Sequence, residues 1–447
     1  MKKAKFTKVF MMVIILVASI ILTTTALADT KPEYILEDPC EWFTALPGAQ
    51  IYCGVHQGAG YQIEIPDNWN GDLLMWAHGY RFDPTYLWVE APPFRSWLIE
   101  NGYAWAASSY SGNYLDITVG MKDTKALVKF FQEEIAEPDH VYISGESMGG
   151  AVTVSSIEQW PNLYDGAMPT CGSVSQYEEY DYIWDYYVLA SALTEHDATY
   201  PIPDDFVTSG QYAAVVNELA ASPGMFPYLL NEQGEIFKNA LEMRSGGERP
   251  LFDQAFNFWY GFMDLYWGVP VIQFAIDENP IGVKGIWFDN WNTVYQLDMD
   301  PALSPEEQAL NDLVFRIQRD SQAVHPNGLK NIPVATGDIK VPVLSIHGIG
   351  DLLVPFSMEQ IYAQRVSEHG ASDLLVQRAI RDIVHCFFME EEYTTAFSDL
   401  VTWVETGVKP AGDDFLDPAA VSDPYFGCQF TSEYRDYTDI PGLGFPA

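Results

Sequence analysis

The sequence predicts an α/β fold: a mostly parallel sheet covered on both faces, with a largely helical cap inserted before the strand that leads to a candidate acid. Three observations point there. Short apolar runs such as "LLMWA", "YAWAASSY" and "HVYISG" alternate with helical patterns up to about residue 172. Between 173 and 340 the rhythm stops, and aromatics and acids crowd helical stretches such as "YDYIWDYYVLASAL". It resumes with "VPVLSIHG" and runs to about residue 406.

Each element has a local reason. Residues 50–65 alternate enough for a two-stranded hairpin. "GDLLMWAHGY" is a short buried strand that ends in a loop. "PPFRSWLIENG" opens with proline and closes with glycine, the punctuation of a helix. Residues 115–137 form an amphipathic helix stopped by Pro138. "HVYISG" is a strand, 148–160 a helix of small and apolar residues, and "YDGAMPTCG" a strand again. After the cap come "VPVLSIHG", a helix near 358–369, the strand "LLVQRAI" and a helix near 390–405. The remainder, rich in Pro and Asp, is expected to wrap the surface. The domain reading is a core of 29–172 and 341–447, with a cap of 173–340.

The N-terminus has four lysines before residue 9, an apolar run over 9–22 and an Ala26-Leu27-Ala28 end. That is the pattern of a secretory signal peptide over 1–28, which implies an extracellular or periplasmic protein with no stable membrane insertion after cleavage. The charge is extreme, 62 acids against 23 Lys and Arg, a net −39. Such a chain repels nucleic acid and anionic lipid, and neither is expected as a partner. Five cysteines in an oxidising compartment predict two disulfides and one thiol. Cys40–Cys53 is expected to pair. Cys386–Cys428 is preferred for the second bridge, with Cys171–Cys386 as the rival. The spacings match no zinc pattern, and neither a metal nor a cofactor is expected.

The chemistry centres on "HVYISGESMGGA". A strand, Gly-x-Ser-x-Gly and a helix of small residues would expose Ser147 at a sharp turn, beside a helix N-terminus that favours negative charge. A serine needs a base. His385 follows the last strand and precedes a helix, which is a fitting place for one. The histidine needs an acid to hold its tautomer. Asp351 lies in the loop after "VLSIHG"; Asp382, three residues from His385, is the rival. Backbone N–H groups of Met148 and Tyr80 would receive the oxyanion. Glu146 reads as a partly buried structural carboxylate. His78 and His347 read as loop-shaping rings.

Over about 50–172 and 341–406 the chain resembles the α/β-hydrolase superfamily, with nucleophile, acid and histidine in the order Ser147, Asp351, His385. "HGY" with "GESMGG" is similar to the Tyr-plus-Met oxyanion pair of cutinase-like polyesterases. His385-Cys386 resembles tannases and feruloyl esterases, where a cysteine after the histidine bonds one just before the serine. Here Glu146 occupies that earlier position, so that bridge cannot form as it does there. The resemblance implies an acyl-enzyme hydrolase acting on small-molecule or polymer esters. Two other functions compete: a peptidase of the prolyl or aminopeptidase type, its acidic cap segments "EEYDYIWD" and "EHDATYPIPDDF" receiving an amino group, and a binding protein without catalysis. The aromatics Trp184, Tyr186, Tyr187, Trp259, Tyr260 and Trp267 either line a substrate pocket or form the cap's own core.

Overall fold

The computed structural model describes residues 33–435 except 82–84, 114, 204, 207–208, 223–228, 263–285, 322, 326–327 and 330. The signal-peptide expectation and Trp267 lie outside the described residues. Among the described residues, no helix is long and apolar enough to cross a membrane.

The main sheet has eight strands: β1 Ala49–His56, β2 Ala59–Pro66, β3 Asp72–Ala77, β4 Ala104–Ser108, β5 His140–Glu146, β6 Gly166–Thr170, β7 Val343–Gly348 and β8 Leu375–Ile380. Their spatial order is β8-β7-β6-β5-β3-β4-β2-β1. The hairpin β1–β2 and the pair β2–β4 are antiparallel; every other pairing is parallel. The hairpin turns at Gln57-Gly58, both with positive φ (51° and 91°), which suits the right-handed twist of the two strands.

The period-2 geometry of a strand sends alternate residues to opposite faces. Leu73 and Met75 of β3 enter one core with Leu127 and Phe131 of helix α2 (Ile117–Glu134). Helices α3 (Met148–Gln159) and α9 (Ser357–Glu368) cover the same face. Leu74 and Trp76 enter the other, with α1 (Arg95–Glu100) and α10 (Glu390–Thr406). Parallel strands are therefore buried on both sides and read as unbroken apolar runs.

Between β6 and β7 the chain leaves the sheet for α4 (Tyr177–Ala192), α5 (Gln211–Glu218), α6 (Glu232–Arg244), α7 (Phe252–Phe262) and α8 (Pro305–Leu313). This insert has its own apolar cluster, which also takes in Met148, Leu352 and Ile383 of the sheet's loops. Trp184, Tyr186, Tyr187, Trp259 and Tyr260 are all buried in that cluster. Trp184 stacks on Phe288 with ring centroids 5.4 Å apart. Buried ion pairs brace the aromatics. Arg244 Nε donates to Asp185 at 2.6 Å, Tyr295 donates to the same carboxylate at 2.6 Å, and Arg319 pairs with Asp181 at 2.5 Å.

The C-terminal segment runs along the free edge of β8. Asp413 N donates to Gln377 O, and Ala379 N donates to the Asp413 carboxylate. This covers an edge that would otherwise offer unpaired backbone groups to another chain.

Candidate active site

The elbow is built from steric necessity. Ser147 is held at φ 57° and ψ −122° between β5 and α3. An added Cβ on Gly145 would lie 2.4 Å from Ala77 O, and one on Gly149 only 2.0 Å from the same oxygen. Only glycine lets β5 turn into α3 while both pass that close to β3. Ser147 N donates to Thr170 O at 3.1 Å, tying the elbow to the end of β6. A non-glycine residue in this region costs about 1–3 kcal/mol and persists only where its surroundings enforce it. Cys171 (φ 43°) and Cys386 (φ 55°) share that property.

The loops after β7 and β8 converge. Asp351 is fully buried, and its Oδ1 accepts from the N–H groups of Leu353 and Val354 at 2.9 and 3.1 Å. Its Oδ2 accepts from His385 Nδ1 at 2.5 Å. The structure thus brings Asp351 to His385. The rival Asp382 turns away: its Oδ1 accepts from Val384 N, and its Oδ2 pairs with Arg435 Nε at 2.5 Å. Arg435 also pairs with Glu392 at 2.5 Å, so a residue of the C-terminal segment grips both flanks of the histidine loop. Nothing in the sequence around Arg435 announces that role.

The second disulfide corrects the preferred pairing. Cys40–Cys53 forms, but Cys386 bonds Cys171, with Cα atoms 5.3 Å apart, and Cys428 is an exposed thiol. Cys171 directly follows β6, and only β7 separates β6 from β8, which leads into the histidine loop, so residues 215 positions apart meet at the ends of these strands. Crossovers in a parallel sheet make sequence distance a poor guide. The Cys386 Sγ lies 3.2 Å from His385 Nε2. His385 and these two sulfurs are grouped closely enough for a metal. The sulfurs are bonded to each other, though, and a metal needs thiolates.

Both predicted oxyanion donors belong to segments next to the serine. Met148 opens α3. Tyr80 follows Gly79, whose Cα lies so close to the serine that an added Cβ would be 3.3 Å from Ser147 Cβ. The loop carrying Tyr80 is braced by Tyr110, which stacks on His78 at 3.9 Å and donates its O–H to His78 O at 3.2 Å. Burial, and then the Arg81 cation, push His78 down to about 3, so its ring is neutral. His347 is buried near the end of β7, just before the acid loop. Burial alone would lower its pKa, but Glu359, 3.5 Å away, holds it above the ordinary value.

Two carboxyls, half-buried Glu146 and buried Glu179, lie near Ser147. Glu146 accepts from Tyr393 O–H, and burial pushes it up to about 7. Glu179, at the start of α4, accepts from Ser173 Oγ, and Ser173 N in turn donates to Ser147 O at 3.1 Å. Burial likewise pushes Glu179 up to about 7. Sequence reasoning had placed Glu179 only in a generally acidic stretch. The structure separates it from its neighbours: Glu178, Asp181 and Asp185 pair with Arg365, Arg319 and Arg244. Among the described residues, Glu179 makes no ion pair.

The chain is similar to several known proteins. The prolyl oligopeptidase family matches over residues 100–226, a stretch that includes the elbow. The chain is 22% identical over 401 residues to an o-phthalyl amidase from Xanthobacter agilis, covering 79% of this chain and 87% of the relative. Among solved structures it is similar to feruloyl esterase B from Aspergillus oryzae (15% identity, TM-score 0.45, 80% of each chain). It is also similar to an esterase from Aspergillus oryzae (15% identity, TM-score 0.43, 82% of each chain). Strand order and elbow give the chain the α/β-hydrolase fold.

Proposed function

We propose that the protein is a secreted serine hydrolase that cleaves carboxylic esters through Ser147, His385 and Asp351. The observation that carries the reading is the 2.5 Å bond from His385 Nδ1 to Asp351, in a loop that a disulfide ties to the strand beside the elbow. Nδ1–H is thereby committed to the acid, which leaves Nε2 to take a proton. Ser147 Oγ attacks the ester carbonyl carbon while its proton passes to His385 Nε2. The carbonyl oxygen, now negative, accepts from the N–H groups of Met148 and Tyr80. The tetrahedral centre collapses, the C–O bond breaks, and His385 returns the proton to the leaving alkoxide. Water, deprotonated by the same ring, then releases the acid and restores the serine. The insert acts as a cap over this centre. Secretion rests on the basic and apolar N-terminal pattern and on the two disulfides.

A second reading keeps the machinery and changes the bond to an amide. Two observations favour it: the match to the prolyl oligopeptidase family and the amidase relative. With three of the α4 acids paired to arginines, the α4 carboxyl left for a substrate amino group is Glu179.

The deciding experiment labels the mature protein and Ser147→Ala with a fluorophosphonate. It then assays both on matched p-nitrophenyl esters and p-nitroanilides of the same acyl groups. Ester turnover and labelling, both lost in the variant, are the expected result. Labelling with anilide turnover alone would transfer the assignment to the amidase. No labelling of the folded protein would remove catalysis by Ser147 altogether.

A further inference from the structure

Trp259 belongs to α7 of the insert, yet its indole N–H reaches the catalytic loops. Nε1 lies 2.8 Å from Ile383 O and 3.2 Å from Gly350 O. Gly350 immediately precedes Asp351, and Ile383 is two residues before His385. One donor from the insert therefore spans the loop that carries the acid and the loop that carries the histidine. The ring is 4% exposed, so water does not compete for either carbonyl.

A neighbouring contact repeats the pattern. Arg249, also of the insert and buried, donates from Nε to Ile349 O at 2.6 Å. The Gly350–Asp382 backbone bond at 2.9 Å is the core's own link between the two loops. The apolar cluster of the insert includes Leu352 and Ile383 themselves. Sheet and insert thus meet at the backbone of the Asp351–His385 pair.

We propose that Trp259 is a positioning residue for the Asp351–His385 pair, with its indole N–H bridging the acid loop and the histidine loop so that the insert's placement sets the geometry of the pair. The proposal rests on the hydrolase reading above. It assigns the indole a role other than substrate contact. A shift of about 1 Å in a reacting group can cost up to roughly a hundredfold in rate. Loss of one bridging donor should cost a fraction of that.

The test compares Trp259→Phe with Trp184→Phe. Both remove an indole N–H from the insert's core. That of Trp184 meets no acceptor among the described residues. Trp259→Phe should lower kcat roughly tenfold with KM within about twofold. It should also broaden or move the far-downfield proton resonance of the His385 Nδ1–Asp351 bond. Trp184→Phe should leave both readouts as they are. Trp259→His, which keeps a ring donor, should recover part of the resonance and guards against a Phe variant that fails to fold. If Trp259→Phe leaves kcat and the resonance unchanged, or if Trp184→Phe matches it in both, the positioning role is wrong. The resonance needs no turnover, so it judges the bridge even if the fluorophosphonate experiment rejects hydrolysis.

Discussion

The core and the insert are held together by different physics. In the core, parallel strands satisfy one another's backbone groups, and their side chains alternate into two apolar layers. Its buried charges are paired within it, as with Glu64 and Arg95, Glu359 beside His347, and the Arg435 clamp on Asp382 and Glu392. The insert has no large sheet. Its helices pack aromatics, and its buried acids are held by arginines from distant parts of the chain, as with Asp181–Arg319 and Asp185–Arg244. The lesson is that a repeating apolar pattern builds the frame of the core, whereas the insert lacks that pattern and rests on aromatic packing together with polar pairings that are costly to leave unmade.

The comparison can be broken most severely at the elbow. Ser147→Ala should reduce turnover by at least about a thousandfold while leaving the melting temperature nearly unchanged, since the side chain makes no capping bond in α3. A loss of stability comparable to the loss of rate would mean that the elbow serves the frame rather than the chemistry.

The covalent tie comes next. Replacing both Cys171 and Cys386 by Ala should cost roughly 2–5 kcal/mol in chemical denaturation. It should also lower kcat, because the histidine loop loses its anchor to β6. Removing Cys40 and Cys53 instead, far from the site, should affect stability without touching kcat.

Arg244→Met strips the partner from the buried Asp185. A broken buried pair costs about 3–5 kcal/mol, and the partial exposure of Arg244 argues for the lower end. Hydrogen exchange should show the loss in α4 and α6, with protection of β3–β7 retained. Uniform loss across the sheet would erase the distinction between the two regions.

The smallest effect concerns pH. Burial raises Glu146 and Glu179 from 4.5 to about 7 in the folded state. Between those values the unfolded chain has released protons that the folded one still holds. Stability from these groups is therefore present below about pH 4.5 and is lost as pH rises towards 7. Urea denaturation at pH 5 and pH 8 should show the fall, and Glu179→Gln should flatten it. A variant that steepens the fall would assign the trend to other acids.

Much of the core was legible because its signals are local. Hairpin, strand and helix follow from apolar period, and Gly145-x-Ser147-x-Gly149 names its own turn because no Cβ fits at either glycine. The insert was legible only as a break in rhythm. Its aromatics could be read as pocket or as core; burial places five of them in the core. The disulfide preference failed for a related reason. Cys386 and Cys428 are closer in sequence, yet β6 and β8 flank the same strand, β7, and the loops leaving them meet where Cys171 bonds Cys386.

By itself the sequence determined the order of elements, the sharp turn at Ser147 and the types of residue able to act as nucleophile, base and acid. Each of these depends on neighbours within a few positions, where sterics and apolar period decide. Only the tertiary structure decided that Asp351 rather than Asp382 meets His385, that Arg435 holds the histidine loop, and that Trp259 joins the two loops from the insert. These contacts close chain segments of 34 to 124 residues. Their geometry is set by how the layers pack, and no local pattern carries that information.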